Sequence, residues 1–108
     1  MKVYKLKDFK GGWIVGDFLP TLFTSKDFEI AIKNYKKDDY EKKHHHKLAT
    51  EITIIGKGSV EMNNVKYYEG DIIYLEPNDS SNFKALEDVT TFVVKFPSIP
   101  SDKYVDEE

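Results

Sequence analysis

The chain has 108 residues, 19 acidic and 16 basic side chains, a net charge of −3 and no cysteine, which is the size of one domain. Without cysteine there are no disulfides, thiolate metal sites or thiol nucleophile. The two signs of charge are interspersed, so there is no basic stripe of the kind that marks nucleic-acid binding, and no apolar run is long enough to cross a bilayer. The opening Met1–Lys7 alternates charged and apolar residues, unlike the apolar core of a signal peptide, and the expectation is a cytoplasmic protein.

In chain order, Val3 to Phe9 alternates apolar and charged residues and predicts a half-exposed edge strand. Gly11-Gly12 predicts a turn, Trp13-Ile14-Val15 a short strand, and Pro20 to Lys26 a loop with Leu22 and Phe23 as anchors. Phe28 to Tyr35 predicts a clear strand, with Phe28, Ile30 and Ile32 on one face and Glu29, Ala31, Lys33 and Tyr35 on the other. After the charged turn Lys36–Asp39 come the histidine segment and the strand headed by Glu51. Ser59–Met62 and Val65–Tyr68 flank Asn63-Asn64, a tight hairpin signal. Ile72–Leu75, Phe83–Leu86 and Thr90–Phe96 are the remaining strands; Pro97 and Pro100 end regular structure, and an acidic tail runs over the surface with Tyr104 and Val105 as anchors. Many short strands and no convincing helix predict an all-β sandwich or barrel. The expected limits are one domain over 1–108, with its core at 28–96, N-terminal strands within 3–18 and a tail at 97–108.

All three histidines lie together at 44–46, inside the chain between a charged loop and a strand, which sets them apart from a purification tag. On an extended strand His44 and His46 leave the same face, and His45 the other. Glu51 follows five residues after His46. Two imidazoles and one carboxylate on a strand surface suit a divalent metal such as Fe, Mn, Ni or Zn. The plainer alternative is a set of solvated histidines beside Lys42, Lys43 and Lys47.

The pattern His44-x-His46, Glu51, Gly58 resembles the first sequence motif of the cupins, and Gly70–Asn78 resembles the second. Asp38 and Asn78 stand where that family has glycine; both residues tolerate the left-handed backbone region. Glu76 takes the usual proline place. Ser81 takes the place of the histidine that usually supplies a further metal ligand, and Asp79, Glu76 and Asn82 are the neighbours that could reach inward instead. The resemblance implies an all-β double-stranded β-helix, a cupin-type jelly-roll barrel that is often dimeric, with metal and substrate inside one mouth.

Three functions follow as expectations. The first is a metal-dependent enzyme on a small polar metabolite, with His44, His46 and Glu51 as ligands. The second is a metal-free isomerase or epimerase of a nucleotide-linked sugar, in which His44 or His46 carries the proton. The third is a non-catalytic small-ligand-binding module. Tyr35, Tyr40 and Tyr74 are candidate lumen residues, Tyr74 as a catalytic acid or hydrogen-bond donor. Lys33 and Lys95 are candidates to bind an anionic substrate, against the ordinary reading that a strand lysine is solvated. Trp13 and Phe18 read as packing anchors. If Glu51 and Thr53 face the lumen, Ile52 and Ile54 face outward and need a cover, either the N-terminal strand or a second subunit in a homodimer.

Overall fold

The computed structural model describes residues 1–107. Its strands are β1 (Trp13–Val15), β2 (Glu29–Tyr35), β3 (Tyr40–His45), β4 (Thr50–Lys57), β5 (Ser59–Met62), β6 (Val65–Tyr68), β7 (Ile72–Leu75), β8 (Ser81–Ala85), β9 (Val89–Phe96) and β10 (Tyr104–Val105). They form two five-stranded sheets in the orders β1-β2-β9-β4-β7 and β10-β3-β8-β5-β6. The pairings are antiparallel. From β2 to β10 the chain passes from one sheet to the other at almost every step, which is the winding of a double-stranded β-helix.

Period-two alternation sends Val60 and Met62 on β5, and Phe83 and Ala85 on β8, inward against Ile55 and Val89 of the other sheet. This apolar cluster closes one end of the barrel, and Tyr35 lies over Phe83 with ring centroids 4.6 Å apart. The turns use the residues their backbone demands. Asp38 and Asn78 both have φ of 74°, and Asn63 and Asn64 have φ of 50° and 65°, the pair of positive angles a two-residue hairpin turn requires. Gly58, at φ of 84°, has no room for a side chain: a Cβ there would run into the carbonyl of Asp88.

Two segments differ from the expectation. Val3–Phe9 is not a strand; 3-10 turns occupy Leu6–Asp8 and Lys10–Gly12. Gly11 and Gly12, at φ of 62° and 81°, turn the chain away, and β1 takes the sheet edge against β2. The N-terminal strand therefore cannot cover Ile52 and Ile54, which lie on β4, three positions away in the sheet. The tail does more than run over the surface: Asp102 is buried, and Tyr104–Val105 pairs with His45 and His44 as β10. Among the described residues, no helix is long and apolar enough to cross a membrane.

Ile55 is fully buried in the apolar cluster, whereas Val65 on β6 is half exposed. Ile55→Ala should cost about 2–5 kcal/mol in urea unfolding, and Val65→Ala should stay within about 0.5 kcal/mol. Equal losses would show that the apolar end is not the packed core.

Candidate functional site

The opposite end of the barrel is polar. Across β2, β9 and β4, Glu29, Lys95 and Glu51 stand side by side in register and face the lumen. The Lys95 ammonium lies 3.2 Å from Glu29 Oε1, and Glu29 Oε2 accepts the Ser98 hydroxyl at 2.8 Å. One layer further in, Thr53 donates to Glu51 Oε2 at 3.0 Å. Lys33, two layers from Glu29 on β2, pairs with Glu41 at 3.2 Å. Both lysines are thus in the lumen, as the alternation suggests. Lys95 is buried and Lys33 half-buried, and each already holds a carboxylate. Trp13 is more than a packing anchor: the Lys95 and Lys33 ammoniums lie 5.2 and 5.7 Å from its ring centre.

The other wall is β3. Glu41 pairs with Phe83 and His44 with Ser81, so β3 carries one extra residue between them. Strict alternation would send Glu41 and His44 to opposite faces; the bulge restores parity, and both line the same cavity. His44 donates its Nδ1 proton to the Lys42 carbonyl at 2.9 Å. His46, just past the end of β3, donates Nδ1–H to the carbonyl of Asp102. A carbonyl only accepts, so each ring keeps its proton on Nδ1 and leaves Nε2 for the cavity. His46 Nε2 is 3.5 Å from Glu51 Oε1, and the two imidazole rings are 5.6 Å apart. His45 faces away, as its parity predicts, held by Asp106 at 3.0 Å and stacked on Tyr104.

Burial alone would raise the Glu51 carboxyl. A protonated His46 beside it, the Thr53 hydroxyl and Lys95 outweigh it and hold the group below its ordinary range. Tyr35 is pushed far above the usual phenol range, first by burial and then by Glu41, whose carboxylate accepts its hydroxyl at 3.0 Å. The cavity measures about 520 Å³, within the range of small-molecule sites.

No protein-family model matches the chain, and no curated protein matches it in sequence. Solved structures do match. A protein with a double-stranded β-helix domain from Klebsiella pneumoniae superposes with a TM-score of 0.73 at 14% identity, over 99% of this chain and 93% of its own. KdgF from a Halomonas species gives 0.64 at 17% identity, over 70% and 74% of the two chains. A sugar phosphate isomerase from a cupin superfamily, from Silicibacter pomeroyi, gives 0.65 at 15%, over 76% of this chain and 58% of its own. The chain has the cupin fold.

Two of the three tyrosines expected in the lumen do not reach it. Tyr74, the candidate catalytic tyrosine, is 58% exposed on the outer face, because its neighbour Leu75 is the residue of β7 that pairs beside inward-facing Glu51. Tyr40 is likewise exposed. Among the tyrosines proposed for the lumen, Tyr35 is there. Glu76 and Asp79 line the cavity mouth, and Ser81 lies in its wall with its hydroxyl turned to the Asn82 carbonyl at 2.6 Å.

The donor set can be tested against a metal. The tethering of both Nδ1 protons is the arrangement that metal-binding histidines use. Yet among the described residues no three His, Asp or Glu side chains come together closely enough to hold an ion. Nor does Glu51 need a metal cation to be buried, since Thr53 and Lys95 already answer its charge. In this arrangement His44, His46 and Glu51 do not make up a metal centre.

Asp102 and Glu41 were not singled out from the sequence. The Asp102 carboxylate accepts the backbone N–H groups of Lys47, Leu48 and Ala49 at 2.9, 3.0 and 2.9 Å while its carbonyl holds His46. One tail residue thereby fixes the loop that carries the site histidine. Burial would raise this carboxyl, but the three N–H bonds and His46 bring it below its ordinary value of 3.8. A depressed carboxyl stabilises the fold above its unfolded value, and that contribution is lost as pH falls through the folded one. Asp102→Ala should therefore cost about 2–4 kcal/mol at neutral pH, and the gap to the wild type should shrink in chemical unfolding below the ordinary aspartate range. A gap independent of pH would remove the ionised carboxylate from this role.

Proposed function

We propose that this cupin is an enzyme that moves a proton on a small polar metabolite held in the lumen, with His46 as the proton carrier and Glu51 as its partner. The observation that carries this reading is the His46–Glu51 contact at 3.5 Å, with Nδ1 of His46 tied to Asp102. The gap is longer than a normal hydrogen bond, so a substrate's proton-bearing group can approach Nε2 beside the carboxylate. When Nε2 takes the proton, the imidazolium charge is met by Glu51, whose ionised form is favoured by its surroundings. Thr53 fixes Oε2 and leaves Oε1 to His46. His44 faces the same space and is the candidate for a second proton transfer. A structure of like fold is called a sugar phosphate isomerase, and an aldose–ketose isomerisation is a pair of such transfers.

The test uses protein purified without a nickel column, since adjacent histidines pick up nickel. Aldoses, ketoses and 2-oxo acids are incubated with it in D2O and followed by NMR, with elemental analysis of the same sample. At least one compound should exchange a carbon-bound proton with solvent, and His46→Gln should slow that by about 100-fold or more. If the wild type exchanges nothing, or His46→Gln is as fast, the proposal fails. The metal-enzyme reading replaces it if one equivalent of Fe, Mn, Ni or Zn is present, lost in His46→Ala and kept in His45→Ala. Ligand binding with neither exchange nor metal would make the chain a binding module.

We also propose a homodimer through the outer face of the β1-β2-β9-β4-β7 sheet. Ile30, Ile32, Ile52 and Ile54 sit there half-buried, and Ile72, Tyr74, Phe92 and Phe96 are exposed. Monomers rarely show an apolar face of this extent, and two copies related by a two-fold axis would cover each other. Sedimentation at about 50 µM should give a dimer for the wild type and a monomer for Phe92→Glu; a monomeric wild type would refute it.

A further inference from the structure

We propose that the lumen holds a second polar site, built by Lys33, Tyr35, Glu41 and Thr91, which receives hydroxyl groups of a neutral, polyhydroxylated ligand such as a sugar or alditol. It rests on the reading of the lumen as a metabolite site and names the ligand class.

Three observations meet here. The first is the β3 bulge, which brings Glu41 into the lumen against the alternation of its strand. The second is how Glu41 is used. Tyr35 and Lys33 both donate to the same oxygen, Oε2, at 3.0 and 3.2 Å, and among the described residues Oε1 receives no hydrogen bond. The third is Thr91. It is the direct cross-strand neighbour of Lys33, lines the cavity and is 1% exposed, yet its hydroxyl finds no hydrogen-bond partner among the described residues. A buried hydroxyl left unpaired is costly and uncommon. Ligand hydroxyls in this cavity can accept from Thr91 and donate to Glu41 Oε1.

Charge selects against an anion. Lys33 and Lys95 are already in ion pairs with Glu41 and Glu29; Lys10, Lys103, Glu76 and Asp79 also line the cavity. A phosphate or carboxylate placed beside Glu41 would meet like charge, and Lys33 at that spot is already in an ion pair, whereas a hydroxyl has both a donor and an acceptor to offer. Thr91 lies four residues from Lys95 along β9, about 13 Å of strand, and Glu51 reaches part of that way by accepting the Thr53 hydroxyl. Thr91, Glu41 and His46 line the same cavity.

Thr91→Val keeps the shape and removes the hydroxyl. If that hydroxyl is unpaired in the free protein, the variant should melt about 5 °C higher. In NMR titrations with D-glucose, D-xylose and xylitol, the wild type should bind at least one of them in preference to D-glucuronate and glucose 6-phosphate, and Thr91→Val should weaken that binding about 10-fold. An unchanged or lower melting temperature, no binding of the neutral probes, a preference for the anions, or equal binding by Thr91→Val each overturns the site. Binding that depends on Thr91 without any proton exchange in D2O upholds this site and refutes the proton-transfer reading. Proton exchange that Thr91→Val leaves untouched does the reverse.

Discussion

Lys95 stands between two carboxylates that the barrel has taken out of water, Glu29 on one neighbouring strand and Glu51 on the other. Any one of these charges buried alone would be expensive. Placed opposite one another on adjacent strands they compensate, and Ser98 and Thr53 take up the remaining carboxylate oxygens. The arrangement also ties down register. A slip of β9 by one residue would exchange Lys95 for Phe96 in the lumen and leave both carboxylates unpaired. Ser98, which also receives the Asp17 backbone N–H, extends this constraint to the loop after β1.

The second constraint comes from the end of the chain. The loop at 46–49 has no strand partner of its own, so its backbone N–H groups need acceptors. Asp102 provides them with its carboxylate, and its carbonyl orients His46. β10 then lies along β3, and Asp106 fixes His45 and Ser80 on the outside. The tail is thus part of the site wall: it decides which nitrogen of His46 faces Glu51.

These two constraints divide the barrel. At one end Ile55, Val60, Phe83 and their neighbours pack without polar atoms and supply the burial that stabilises the fold. At the other, paired charges keep about 520 Å³ of lumen open and polar. Tyr35 joins the two, its ring on Phe83 and its hydroxyl on Glu41. Filling the polar end with apolar side chains would cost little stability; it is the function of the lumen that needs those groups.

Much of this was written in local sequence. Alternation placed Glu29, Lys33 and Tyr35 on one face of β2, and separated His45 from His44 and His46, because side-chain direction along a strand has period two. Asp38, Asn63, Asn64 and Asn78 marked left-handed turns because their short polar side chains tolerate positive φ. The resemblance of His44, His46, Glu51 and Gly58 to the first cupin motif implied the barrel type. What local sequence could not contain was anything that depends on a partner strand or a distant segment. The bulge that turns Glu41 inward exists only against β8, and the exposure of Tyr74 follows from the register of β7 on β4. The same holds for the compensation of Glu51: read alone, a buried carboxylate beside two histidines asks for a cation, and only the fold brings Lys95 from more than forty residues away to stand next to it. Asp102 was invisible for the same reason, since a hydrogen bond to backbone N–H groups leaves no mark on the sequence of the loop that donates them.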